Sequence, residues 1–96
     1  MLFMIVHYHT PEQCPGVKGK NVVVKYYKDL SDEAAKNYGV KVLGSYTAPA
    51  EHAQFMIVKA KDYNMLTKFL TPLEIGTTRI TPVATMEERQ KMLQES

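Results

Sequence analysis

The chain has 96 residues, which suits one small domain and excludes two. With 45% apolar residues, 23% charged residues and a formal net charge of +2, it has the composition of a folded protein, which excludes disordered and collagen-like chains. The basic residues are dispersed, so neither nucleic acid nor a membrane surface is an expected partner. A single cysteine, together with an N-terminal apolar run that is too short to span a bilayer and has no basic leader, predicts a cytoplasmic protein.

The N-terminal segment predicts a central β-strand followed by a short capped turn. Residues 1–9 (MLFMIVHYH) are apolar on both alternating sets, a pattern typical of a strand covered on both faces. Thr10 and Gln13 have the spacing of a capping box, with Pro11 at the first helical position. Cys14 is therefore expected on a turn just after the first strand.

The remaining chain predicts three strands and three helices. The expected elements are a long helix over residues 21–38, strands over 40–47 and 51–60, a helix over 62–70, a strand over 77–83 and a tail helix opened by the capping box of Thr85 and Glu88. Pro82 cannot donate a ladder hydrogen bond, so the last strand should lie at a sheet edge or a bulge.

The order βαββαβ predicts an α+β fold of the ferredoxin-like type over residues 1–96. Its antiparallel sheet has the spatial strand order 4-1-3-2, and both crossover helices lie on one face. The central strands are apolar on both faces, so the second face would expose a large hydrophobic patch. We therefore expect a homodimer in which a second copy covers this face and the two sheets form a barrel-like layer.

Three stretches support a resemblance to a known family: LFMIVHYHTPEQCP, GVKVLGSYTAPAEH and ITPVATMEE. Through them the chain resembles the dimeric α/β-barrel superfamily, and within it a small archaeal and bacterial group of unknown function. The resemblance implies the ferredoxin-like fold and a dimer. It leaves the activity open, because that superfamily includes cofactor-free monooxygenases, haem-dependent and haem-degrading enzymes, lactone isomerases and stress proteins.

The histidines predict a binding site for a transition metal or a small ligand at one end of the sheet. His7 and His9 are two residues apart on a strand, so both side chains leave the same face. In the predicted topology the end of the first strand lies beside the start of the third, where His52 is found, and Cys14 starts from the same end. A three-histidine site with Cys14 as an optional further ligand would suit zinc or copper. A histidine beside a pocket could also bind haem, although no haem-specific spacing is present. The simpler alternative is that His7 and His9 are only polar lining.

A different function class is also compatible with these residues. A neutral imidazole can act as a general base, so a strand histidine could serve a cofactor-free monooxygenase or isomerase. Arg79 could bind a carboxylate and Tyr46 an oxyanion, whereas the competing interpretations are an exposed edge arginine and a strand-end aromatic. Tyr8 alternates away from His7 and is expected to pack beneath the helices.

Overall fold

The computed structural model describes residues 1–95 and contains one four-stranded antiparallel sheet. The strands are β1 (Leu2–Tyr8), β2 (Val40–Ala48), β3 (Ala53–Ala60) and β4 (Thr77–Val83). Their spatial order is β2-β3-β1-β4, which is the predicted order read from the other edge. The α+β, ferredoxin-like prediction is therefore confirmed. Pro82 lies opposite Phe3 on the edge strand β4, where its missing donor faces no further strand.

Four α-helices accompany the sheet: α1 (Lys20–Asp29), α2 (Asp32–Ala35), α3 (Tyr63–Phe69) and α4 (Met86–Glu95). Asp62 caps α3 by accepting hydrogen bonds from the backbone of Asn64 and Met65. Among residues 1–95, no helix has both the length and the apolar character that crossing a membrane requires.

The prediction of one helix over residues 21–38 was wrong at its centre. α1 ends at Asp29, and Ser31 takes an extended conformation with ψ of 162°. The Ser31 hydroxyl then accepts a hydrogen bond from the backbone of Ala34 at 3.2 Å, which starts α2. Serine followed by two acidic residues is an N-terminal signature, and here it stops one helix and begins another.

The two faces of the sheet differ sharply in burial. On β1, Phe3, Ile5 and His7 point toward the helices and are buried, while Met4 and Tyr8 point the other way and are 44% and 49% exposed. The expectation that Tyr8 packs beneath the helices was therefore wrong, because His7 takes the helix-facing position. We call the side bearing Phe3, Ile5 and His7 the covered face, and the side bearing Met4 and Tyr8 the open face.

The covered face carries the hydrophobic core. Its fully buried side chains of largest volume come from β1, β3, α3 and the turn after α3: Ile5, Val58, Leu66, Phe69 and Leu73. The core ends at His7, which is also fully buried. The apolar layer therefore continues directly into a polar end of the sheet.

The tail helix follows its predicted capping box. The Glu88 amide donates to the Thr85 hydroxyl at 3.0 Å, and the Glu88 carboxylate accepts from the Thr85 hydroxyl at 3.1 Å. No residue of α4 over its described length is buried.

The chain measures 53 × 28 × 18 Å along its principal axes, so it is elongated.

Candidate metal centre

Three side chains meet at the polar end of the sheet. His9, Cys14 and His52 each offer one ligand atom, and these atoms all lie within 4.8 Å of one another. They come from three different segments: the residue after β1, the turn that follows it and the turn before β3. This His/Cys/His group, which we call the triad, could hold a metal ion.

Backbone pairing sets the distance between the two histidines. The amide of His9 donates to the carbonyl oxygen of His52 at 3.1 Å, so the β1–β3 ladder continues one step beyond both strands. The two imidazole rings pack edge to face with their centroids 5.3 Å apart. The predicted proximity of His9 to His52 therefore follows from antiparallel register.

His52 lies outside β3, in an unusual backbone conformation. Its φ of 51° and ψ of 43° place it in the left-handed region, and no other non-glycine residue among residues 1–95 has a positive φ. The turn is closed by a hydrogen bond from the His52 amide to the Pro49 carbonyl oxygen. Such a conformation is uncommon for a residue with a side chain, and it often accompanies a functional constraint.

Two consecutive turns hold Cys14. The predicted capping box of the first turn is confirmed, because the Gln13 amide donates to the Thr10 hydroxyl at 3.3 Å and the Thr10 amide donates to the Gln13 side chain at 3.0 Å. Cys14 ends this turn and begins the next, where the Val17 amide donates to the Cys14 carbonyl oxygen at 3.0 Å. The thiol is half-buried and free of any disulfide.

A chain of hydrogen bonds behind the triad determines which nitrogen of each imidazole carries the proton. The Thr78 hydroxyl donates to the Leu73 carbonyl oxygen at 3.0 Å, so it must accept from Nδ1 of His7, which is also 3.0 Å away. Nε2 of the neutral His7 is then an acceptor, and it takes the proton of His9 Nδ1 at 3.1 Å. The lone pair of His9 consequently lies on Nε2.

That nitrogen has no partner of its own. Nε2 of His9 is buried and makes no hydrogen bond, and among residues 1–95 no other buried side-chain nitrogen or oxygen is left in this way. An orphaned buried acceptor costs about 1–3 kcal/mol unless something binds it. Because His9 also belongs to the triad, a metal ion is a chemically natural partner for its lone pair.

Burial favours the neutral form of both His7 and His9. Burial lowers the pKa of His7 to about 4, with a further contribution from the neighbouring His9 imidazole. Burial also lowers the pKa of His9, and His52 adds to this effect. Neutral imidazole is the form that binds metals.

A cavity of about 110 Å³ adjoins the triad and includes it in its wall. Helix α1 contributes Val23, Tyr26 and Tyr27, and β3 contributes Gln54. The buried Gln54 side chain accepts a hydrogen bond from the Tyr26 hydroxyl. The triad therefore borders a cavity large enough for a small molecule.

The other predicted site residues lie apart from the triad. His7 lies directly behind His9 and holds it by a hydrogen bond, outside the group of three. Arg79 is paired with Val6 in the sheet, so it projects from the open face, and Tyr46 is paired with Phe55 and is 65% exposed there. The structure does not bring Arg79 or Tyr46 to the histidines.

Sequence reasoning missed two residues that position the triad. Thr78 lies directly opposite His7 in the β1–β4 pair, so the strand register would have identified it. Gly76 packs against the end of β1: a Cβ there would clash with the Tyr8 carbonyl oxygen and lie 2.9 Å from the His9 Cβ. No local pattern identifies such a close approach, which only the assembled sheet reveals.

Comparison with known proteins identifies a family whose function is unknown. A family model described as a domain of unknown function (DUF3303) matches residues 1–96. No curated protein matches the chain. Among solved structures, it is similar to SCO4226 from Streptomyces coelicolor, with a TM-score of 0.54 and 13% identity over 88% of this chain and 100% of that chain. At this identity the similarity shows a shared fold alone.

Proposed function

We propose that this chain, which belongs to the DUF3303 family, binds one transition-metal ion through His9, Cys14 and His52. The observation that carries the proposal is the orphaned Nε2 of His9, a residue whose ligand atom lies within 4.8 Å of those of Cys14 and His52. A metal bound there would satisfy the one buried nitrogen that the described residues leave without a partner.

The chain behind His9 supports the same interpretation. Metal-binding histidines almost always donate their second ring N–H to another group, which fixes the tautomer and the ring orientation. His7 accepts that proton here, and Thr78 orients His7 in turn. In this proposal His7 positions the ligand His9 and does not bind the metal itself.

The donor set favours zinc or copper. Imidazole suits both metals, and a thiolate adds preference for Zn²⁺ and Cu⁺ over Mg²⁺ or Ca²⁺. A reducing compartment such as the cytoplasm would keep Cys14 as a thiol. Haem is disfavoured, because a cavity of about 110 Å³ has no room for a porphyrin.

A metal-free enzyme is the second candidate function. His9 has a free lone pair and belongs to the wall of a cavity, two features that a general base for a cofactor-free oxygenase or isomerase would need. The tautomer chain orients this lone pair equally well for either role. The thiol of Cys14 favours the metal, because a soft ligand beside two imidazoles has no evident role in proton abstraction.

Zinc binding to the reduced, metal-free protein tests the proposal. Competition against a chromophoric chelator should give one Zn²⁺ per chain. His9→Gln and Cys14→Ser should each weaken binding by more than the 10–100-fold that is typical of outer-shell partners. His9→Gln should have the larger effect, because a residue at a strand end is held more rigidly than one on a turn.

Two further variants make the test specific. His52→Asn removes the imidazole but keeps a residue that tolerates the left-handed backbone, so it should lose zinc affinity while remaining folded. Glu51→Gln alters the adjacent side chain on the same turn and should bind zinc normally. Zinc affinity that is unchanged in His9→Gln would contradict the proposal.

We also propose that a second copy of the chain covers the open face. The exposed side chains there are large and largely apolar, including Met4, Tyr8 and Tyr46, and monomers rarely expose contiguous patches of this kind. A two-fold dimer buries the same patch on both copies at once. Light scattering should therefore give twice the chain mass of 10.9 kDa.

A further inference from the structure

We infer that the metal held by the triad takes a short aliphatic carboxylate from the adjoining cavity as its fourth ligand. This inference rests on the proposed metal site and adds its ligand class. It depends on three features: the number of protein ligands, the charge of the centre and the lining of the cavity.

The triad is one ligand short of a closed zinc site. Structural zinc sites have four protein ligands, whereas sites with three keep one position for water or another molecule. His7 cannot complete the set, because its Nε2 already accepts the His9 proton and its Nδ1 donates to Thr78. Among the described residues, the group therefore stops at three.

The charge of the centre selects an anion. Two neutral imidazoles and one thiolate leave a divalent ion with a net charge of about +1. No lysine, arginine, aspartate or glutamate lines the cavity within residues 1–95. A monoanion would neutralise the centre, and no acidic wall would repel it.

The lining of the cavity, which is apolar except for a few polar groups, favours an anion that also has an apolar part. Val23, Pro49 and Tyr27 offer an apolar wall. Gln54 uses its side-chain oxygen to accept from Tyr26, which leaves its amide N–H groups available to a second ligand oxygen. A carboxylate can give one oxygen to the metal and the other to this amide, and its hydrocarbon chain suits the apolar wall.

The volume limits the size of the ligand. A water molecule needs about 10–15 Å³ of cavity volume, so about 110 Å³ admits a chain of a few carbons. Burying each added methylene should tighten binding about fourfold until the cavity is full. Acetate, propionate and butyrate therefore form a graded series of probes.

Spectroscopy of the Co²⁺-loaded protein tests the inference. A thiolate-to-cobalt charge-transfer band reports that Cys14 binds the metal, and the visible d–d bands report the fourth ligand. At constant ionic strength, each carboxylate should change the d–d bands saturably, with affinity rising along the series. The charge-transfer band should persist throughout.

A pair of matched variants locates the ligand. Val23→Phe fills the cavity, so the d–d response to butyrate should weaken at least tenfold while Co²⁺ still binds. Val24→Phe makes the same change on the same helix at a residue that is 57% exposed and outside the cavity wall, and its response should equal that of the parent protein.

The two sets of bands test the metal site and the carboxylate ligand separately. If the protein does not bind Co²⁺, both the metal site and the carboxylate inference are contradicted. If Co²⁺ binds with its thiolate band but no carboxylate changes the d–d bands, the metal site is supported and the carboxylate inference is overturned. An equal butyrate response in Val23→Phe also overturns it.

Discussion

The two faces of the sheet are built from the same kinds of residue, and yet they have different surroundings. On β1, Ile5 is fully buried on the covered face, while its neighbour Met4 is 44% exposed on the open face. The covered face ends in His7, hydrogen bonded on both sides, and the open face ends in Tyr8, packed edge-on against Phe55. The difference shows that apolar character alone does not define a core.

The contrast also explains where a metal centre can form. Burial removes His7 from water and favours its neutral form, and helix α1 forms part of the wall of the cavity beside His9. On the open face, Tyr46 and Arg79 are exposed and lack such a frame. The proposed metal ligands therefore extend from the covered face, and the proposed second copy would pack on the open face.

The largest expected effect comes from truncating the covered face. Ile5→Ala removes a fully buried side chain and should cost about 2–5 kcal/mol in the free energy of unfolding, at any protein concentration. Met4→Ala removes a half-exposed one and should cost less, by an amount that varies with concentration if a second copy covers it. Urea unfolding at two concentrations checks both values, and equal losses for the two variants would contradict the distinction between the faces.

The second prediction concerns pH. The pKa of His7 is about 4 in the folded protein against 6.5 for an ordinary histidine. Between these two pH values His7 is therefore protonated in the unfolded chain and neutral in the folded chain. The contribution of His7 to the free energy of unfolding is therefore fully present above pH 6.5 and is lost as the pH falls toward 4. The total loss is on the order of 3 kcal/mol. Neither hydrogen-bond partner of His7, Thr78 or His9, is a carboxylate that could stabilise the imidazolium.

Denaturant unfolding of the metal-free protein between pH 7 and 4 measures this decline. His7→Gln, which lacks the titrating group, should show a shallower slope over the same interval. Identical slopes in the two proteins would show that His7 does not contribute to the pH dependence.

A charge on the open face tests the partner. Met4→Glu places a carboxylate at the centre of the proposed interface, so light scattering at micromolar concentration should show loss of the dimer. Met86→Glu, at a position on α4 that is 89% exposed, is the matched control and should leave the mass unchanged. A parent protein that is monomeric without binding a hydrophobic dye would contradict the dimer.

The smallest effect is expected from the tail, which belongs to neither face. Deleting residues 87–96 removes most of α4, over whose described length no side chain is buried. The free energy of unfolding should change by less than about 1 kcal/mol, as expected for a terminal helix outside the core. A thermal melt of the truncated chain checks this, and a larger loss would place α4 in an interface.

The sequence predicted most of the fold because its signals are local. Two capping boxes, the edge proline Pro82 and the alternation of β1 each depend on neighbouring residues, and the structure confirms the elements they imply. The break before Ser31 was missed because apolar spacing continued across it. The spacing of apolar residues does not show that a serine between them caps a new helix.

The candidate site was predictable only in part. Topology indicated that His9 and His52 would meet, since antiparallel register fixes which strand ends are neighbours. The division of roles between His7 and His9 was not predictable, because it depends on the Thr78 hydroxyl across the sheet. The left-handed backbone of His52 also has no signature in the sequence.

X-ray absorption at the zinc edge of the Zn²⁺-loaded protein identifies the ligands of the proposed metal centre directly. The proposal predicts one sulfur at about 2.3 Å from Cys14 and imidazole nitrogens at about 2.0–2.1 Å from His9 and His52. The sulfur should disappear in Cys14→Ser, and one imidazole should disappear in His52→Asn. A zinc shell of oxygen alone, or one that is unchanged by both substitutions, would contradict the metal centre.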